Sequence, residues 1–179
     1  MRMRRLLSLP ALLLGLLLSG CQSMPEGVEP VGNFDLDRYL GKWYEVARLD
    51  HRFERGLSEV TAEYSLRPDG QVRVMNSGYS AKSGQRERAE GRAKFAGESD
   101  VAYLKVSFFG PFFGSYVVFE LDPDYQHAFI AGNTTDYLWL LAREPVVDAA
   151  VRERFIQRAG ELGFNTDELI WVEHGAVED

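Results

Sequence analysis

From residue 41 to residue 143 the chain is written almost entirely in period two. Short runs in which apolar and polar residues alternate are separated by Gly, Pro, Asp and Asn, the pattern of half-buried strands joined by tight turns. In the first run, Trp43, Glu45, Ala47 and Leu49 share one side, and Tyr44, Val46 and Arg48 share the other. Val60, Ala62, Tyr64 and Leu66 form the next inward set, and Pro68-Asp69-Gly70 turns the chain. Val72 and Val74 share a side in the third run. Over 86–94, Arg86, Arg88, Glu90, Arg92 and Lys94 make a solvated face opposite Glu87, Ala89, Gly91, Ala93 and Phe95. Ala102, Leu104, Val106 and Phe108 follow, then runs at 115–121, 127–131 and 137–143, which brings the total to eight. An open meander of eight strands leaves two exposed edges, and closure into an antiparallel up-and-down barrel removes both. After Pro145 the period becomes helical: Val151, Phe155, Ala159 and Leu162 recur on one face, with Asp148 placed to cap the start and Gly163 to end it. Residues 169–172 suit one short ninth strand. The expected class is therefore all-β, an eight-stranded barrel with a C-terminal helix and a short ninth strand. A barrel of that size holds one small ligand if its inward residues leave room. Ala62, Gly78, Ala89, Gly91, Ala93 and Ala102 are small enough to do so, although a sandwich or a filled barrel fits the composition equally well.

The first 20 residues are a targeting segment. Arg2, Arg4 and Arg5 precede an apolar run from 6 to 18 that is short for a membrane span, and Ser19-Gly20 supplies a small-residue cleavage site. Cys21, the single cysteine of the chain, follows at once, and Leu18-Ser19-Gly20-Cys21 resembles the bacterial lipobox. The resemblance implies acylation at Cys21 and, with Gln22 in place of Asp after it, sorting to the outer membrane. Residues 21–32 hold Pro25, Gly27, Pro30 and Gly32 without periodicity and are expected to tether the 33–179 domain to that membrane, on its periplasmic side. Removal of the leader takes away three arginines and no acid, so the formal charge falls from −7 to −10. A nucleic-acid partner is excluded on those grounds, and attachment to a membrane is left to the acyl chains.

The spacing of three further elements resembles a known family. Gly41-Lys42-Trp43 opens the first strand, Asp122-Pro123-Asp124-Tyr125 lies between the sixth and seventh, and Arg143 ends the eighth. Together they resemble the three signatures of the lipocalins, with Pro123 where Thr is common. Residues 51–57, 105–112 and 136–141 are similar to the bacterial outer-membrane branch near apolipoprotein D, so the likeness covers about residues 33–173. It implies that Gly41, Trp43, Asp124, Tyr125 and Arg143 close one end of the barrel. An Arg143 guanidinium laid over the Trp43 indole would contribute about 1–2 kcal/mol when desolvated. Gly41 is expected to leave space beside that indole.

Ligand then enters at the opposite end, among the connections at 51–57, 77–85, 109–114 and 132–136. His51, Arg52, Arg55 and Lys82 are rim cations suited to an anionic head, as in a fatty acid or lysophospholipid. Phe108, Phe109, Phe112 and Phe113 crowd the third connection, where ligand entry, membrane contact and a homodimer through 108–113 are all uses for such a patch. Trp139 shares the parity of Arg143 and would stand higher in the cup. Glu45 is inward too, and a buried carboxylate needs a partner or a raised pKa, with arginine pairing favoured over proton chemistry. His51, His127 and His174 lack metal-ligand spacing, and no Gly-x-Ser-x-Gly elbow or phosphate loop occurs, so neither a metal nor a cofactor is expected. The expected function is a lipid carrier of the cell envelope. The alternatives are an enzyme in which Glu45, His127 or a rim histidine converge inside the cup, and an envelope interaction protein that uses the Phe loop.

Overall fold

A computed structural model describes residues 24–175; the expected leader and Cys21 lie outside the described residues. Within the described residues nine strands form one antiparallel sheet: β1 (Gly41–Arg48), β2 (Leu57–Leu66), β3 (Val72–Ser80), β4 (Gln85–Phe95), β5 (Tyr103–Ser107), β6 (Gly114–Leu121), β7 (His127–Ala131), β8 (Leu138–Ala142) and β9 (Ile170–Trp171). Neighbours in sequence pair in order from β2 to β8, and β1 pairs with both β8 and β2, which closes the barrel. The expected architecture is present, and β9 is added outside the closure against Ala47 and Arg48. A short helix, α1 (Leu36–Tyr39), precedes β1 and was not legible in the periodicity. Asp35 caps it, its carboxylate accepting from the backbone N–H of Asp37 and Arg38.

Apolar side chains segregate into two cores, as alternation on a closed sheet requires. One fills the barrel and includes Trp43, Tyr39, Tyr64, Leu104 and Ile130. The other lies between the outer wall and α2 (Ala149–Glu161), where Phe129, Phe119, Leu140 and Val117 meet Phe155 and Ala159. Phe155 and Phe129 cross edge to face at 5.0 Å. The Arg154 guanidinium donates to Glu120 at 2.8 Å and ties the helix to β6. Asp148 stands at the helix start, but only its backbone carbonyl caps there, accepting from Val151 and Arg152.

Three expectations change. The stretch expected to be a free tether is folded from residue 24 onward. Val28 is buried, Val31 exchanges hydrogen bonds with Val118 and Ala102 at 2.9 Å each, and Gly32 bridges Val101. Secondly, the alternation in β1 breaks. Glu45 pairs with Leu141 and Ala47 with Leu140, so Val46 is an extra residue, a β-bulge. Val46, Ala47 and Leu49 therefore join the outer core, and Arg48, expected outside, turns into the barrel. Period-two arithmetic cannot carry parity through such an insertion.

Thirdly, small residues on the inner wall do not all mark empty space. A Cβ on Gly91 would stand 2.8 Å from Phe108 Cδ1 and 2.9 Å from the Ser107 carbonyl oxygen, so that place is already occupied by the aromatic. At Gly78 the neighbours are Leu57 and Val60 at 3.1–3.2 Å. The lower barrel is solid and the upper barrel is hollow.

The helix is held mainly by its apolar face. Phe155→Ala should lower the unfolding free energy by about 3–5 kcal/mol, measured by urea denaturation. A loss below about 1 kcal/mol, the scale of ordinary surface substitutions, would show that the outer core does not secure α2.

Candidate functional site

One end of the barrel is stoppered by aromatic and guanidinium groups. Arg143 lies over the Trp43 ring with its Cζ 3.9 Å from the centroid. Its nitrogens donate to the carbonyls of Arg38 at 2.7 Å, Lys42 at 2.8 Å, Leu40 at 3.0 Å and Tyr125 at 3.3 Å. The fixed fork of five donors suits this arrangement, in which one side chain gathers the α1–β1 segment and the turn before β7. The indole N–H of Trp43, itself fully buried, donates to the Tyr39 carbonyl at 2.8 Å. Gly41 serves this end by conformation, since its φ is +92° and a Cβ would meet only Arg143 Nη1 at an ordinary 3.6 Å. Tyr125 holds φ +59°, accepts the Asp35 N–H on its hydroxyl at 2.9 Å and lies beneath Arg38. Asp124 is exposed and contributes backbone; the carboxylate that shapes the turn is Asp122, which accepts the N–H of Asp124 and of Gln126 at 3.0 and 3.1 Å.

Above this floor is a cavity of about 550 Å³, within the range of small-molecule sites. Val60, Ala62, Val74, Val106, Phe108 and Leu141 give it apolar walls, and Trp139 stands on one side, half-buried. The mouth lies among the connections after β1, β5 and β7. From Gly91 toward the mouth β4 pairs with β3 alone, since its pairing with β5 covers only Arg92–Phe95. Phe53, Phe109 and Phe112 stand at the rim 53%, 67% and 79% exposed, and the first two stack at 6.5 Å.

The sequence-derived candidates separate into groups. Arg52 lines the mouth and covers the Phe53 ring at 4.8 Å. Arg88, not singled out from sequence, also lines it. Arg55 does not: it turns to Asp50 at 2.8 Å, well exposed, and Lys82 is likewise outside the lining. His51 is no solvated rim cation. It is buried, with Nε2 2.9 Å from Glu54 Oε2 and its ring against Trp139 at 5.2 Å. His127 lies near Phe129 on the outer wall, and His174 packs on Tyr44 with Nε2 2.8 Å from the Glu45 carbonyl oxygen, so neither joins the Glu45 carboxyl inside the cup; His51 and Glu45 both line the cavity. No group of metal-binding side chains occurs among the described residues.

The bulge in β1 creates a buried charge cluster that parity reasoning missed. Arg48 Nη1 donates to Glu45 Oε1 at 2.7 Å, and Nη2 donates to the carbonyls of Glu54 at 3.0 Å and Leu57 at 3.1 Å. The Trp139 indole N–H donates to Glu54 Oε2 at 3.2 Å. One guanidinium thus pins the β1–β2 connection over the wall, and Glu54 orients both the imidazole and the indole that face the cavity. Burial pushes Glu45 well above the ordinary carboxylate range, and the nearby Glu54 charge adds to it, against the pull of Arg48. Burial also acts upward on Glu54, but the His51 contacts outweigh it and, with Trp139, hold that carboxyl below its usual value. The two carboxyls of this coupled site are thus pushed in opposite directions, Glu45 upward and Glu54 downward.

Arg48→Met leaves buried acids without their cation and should cost about 3–5 kcal/mol by urea unfolding. Adding Glu45→Gln should recover part of it; strictly additive losses would deny the coupling. Because the Glu54 pKa is depressed on folding, its stabilisation is present above the unfolded value and is lost as pH falls through the folded one. The stability gap between the parent and Glu54→Gln should be widest near neutrality and shrink below about pH 4.3, the ordinary Glu value. A gap that is flat with pH would contradict the assignment.

The geometry can be set against known proteins. A family model described as a lipocalin-like domain matches residues 34–174. The chain is 57% identical over 163 residues to the outer membrane lipoprotein Blc of Vibrio cholerae, which covers 90% of this chain and 95% of that protein. It is 51% identical over 149 residues to the protein of the same name from Escherichia coli K12, covering 83% and 84% of the two chains. Mouse apolipoprotein D is 35% identical over 121 residues, 63% of this chain and 62% of that one. Among solved structures, insecticyanin of the tobacco hornworm Manduca sexta superposes with a TM-score of 0.69 at 20% identity, over 85% of this chain and 87% of its own, a likeness of fold. A closed eight-stranded barrel with one flanking helix, matched over nearly all its length, makes this chain a member of the lipocalin family.

Proposed function

We propose that this lipocalin is an outer-membrane lipoprotein, anchored by acylated Cys21 and facing the periplasm, that binds a fatty acid or lysophospholipid in its barrel. The observation that carries this reading is the apolar cavity of about 550 Å³, stoppered at one end by Arg143 and Trp43 and open at the other. Burial of an acyl chain there is favourable by about 25 cal/mol for each Å² of apolar surface removed from water. Arg52 and Arg88 at the mouth offer charge to a carboxylate or phosphate, and Glu87 beside them offers a partner to the ammonium of a zwitterionic head. The aromatic rim of Phe53, Phe109 and Phe112 gives an acyl chain an apolar path in. Support for the location comes from the names of the bacterial relatives and from Cys21 after its leader. The role proposed is binding: in the cup Glu45 pairs with Arg48 and Glu54 with His51, while His127 and His174 stand outside it.

The delipidated protein should show saturable change in Trp fluorescence on titration with palmitate or a lysophospholipid. Trp139→Phe should abolish most of the signal while calorimetry still detects binding. Absence of binding to any amphiphile would overturn the reading. For the anchor, metabolic labelling with palmitate should mark the parent and not Cys21→Ser, and label retained in the variant would refute the attachment site.

A further inference from the structure

Three tyrosine hydroxyls meet where the hollow half of the barrel joins the solid half. Tyr39 Oη lies 2.7 Å from Tyr116 Oη, and Tyr64 Oη lies 2.9 Å from the same oxygen. Burial pushes all three phenols above their ordinary range, so each keeps its proton. Three hydroxyls carry three protons, and two oxygen–oxygen contacts consume two of them. One donor is left over. It falls on Tyr39, Tyr64 or Tyr116 according to the direction in which the two bonds run.

Surroundings decide between these arrangements. Tyr39 lies beneath the cavity, against Trp43 at 4.7 Å and a residual void of about 10 Å³, which Tyr64 and Tyr116 also border and whose remaining walls, among them Phe34, Leu36, Val72 and Leu104, are apolar. A proton directed there meets no side-chain acceptor beyond the three hydroxyls already bonded to one another, and an unmet buried donor costs about as much as a lost hydrogen bond. Tyr64 and Tyr116 both line the large cavity above. The spare proton, with the lone pairs of these two oxygens, therefore faces the ligand space. A terminal methyl set against it would strand the donor or trap a water without enough partners. An oxygen would satisfy it.

We propose that the Tyr64–Tyr116 pair is a recognition point for a neutral oxygen at the inner end of the ligand, so that the preferred lipid carries a hydroxyl or carbonyl at the end of its chain remote from the head. A neutral group fits and a carboxylate does not, because the cation below, Arg143, is screened by Trp43 and spends its donors on four carbonyls. Glu45 and Glu54 lie on the wall above. The inference rests on the cavity being a lipid site and adds a second polar contact opposite the head.

The test is calorimetric titration of delipidated protein with saturated fatty acids from laurate to stearate, and with their ω-hydroxy and mid-chain hydroxy counterparts. At the chain length that binds best, the ω-hydroxy acid should bind at least as tightly as the plain acid, and the mid-chain isomer more weakly than both. In Tyr64→Phe/Tyr116→Phe the ratio of plain to ω-hydroxy Kd should fall about tenfold, the scale of one well-made hydrogen bond. In Tyr39→Phe, which keeps the upper pair, the ratio should stay. A plain acid that outcompetes the ω-hydroxy acid in the unmodified chain would overturn the inference, and so would a ratio unchanged in the double variant. The comparison of ligands in the unmodified chain holds even where the double variant fails to fold. Binding of neither series would overturn the lipid reading itself, and this inference with it.

Discussion

Everything above the barrel floor depends on the contact between Arg143 and Trp43. A sheet closed on itself has no edges, but it still has two ends, and an unplugged end admits water to the core. Here the guanidinium covers the indole and collects four backbone carbonyls, three of them 101–105 residues away in the chain and the fourth, of Tyr125, 18 residues away. Flexible lysine could not hold this geometry, because an ammonium lacks the planar fork. With that end fixed, the aromatic layer of Tyr39, Phe34 and Tyr125 packs on it, and hollowness is confined to the other half. A ligand then has one way in.

The same strand that carries Trp43 also builds the wall of the cup, and the bulge at Val46 lets it do both. Before the insertion β1 sends Trp43 and Glu45 inward; after it, Arg48 takes the inward place and two apolar residues face the outer core. The result is a charged latch in an apolar wall, with Arg48 holding the β1–β2 connection and Glu54 holding His51 and Trp139. Buried ion pairs are poor sources of net stability, and a hydrophobic replacement often does as well. What this one contributes is position: the imidazole and indole that face the ligand are oriented by an anion that has its own fixed partners. The mouth is thus pinned on the β1–β2 side, while beside β4 the sheet lacks its second partner.

Sequence carried the architecture because alternation, turn chemistry and the change to helical period each point to one class. The inward placement of Trp139, Leu141 and Phe108 was legible by counting in twos. Arg48 was not, because an inserted residue inverts parity and β-bulges leave no reliable mark in a single chain. Gly91 and Gly78 were misread as free space for a related reason: a missing side chain signals close approach as readily as a void, and only the partner's position distinguishes them. His51 looked like a surface cation until its loop was seen folded over Trp139. The tyrosine cluster drew on Tyr39, Tyr64 and Tyr116, which lie on three elements with no spacing in common, so nothing in the chain announced it.

The upper barrel is proposed to be an apolar chamber made for one lipid. Native mass spectrometry of the domain purified from the bacterial envelope under mild conditions examines it most directly. A single bound amphiphile is expected, one per chain, displaced by added fatty acid or lysophospholipid and absent after delipidation. A bare mass from the envelope, with no uptake of either lipid on incubation, would contradict it.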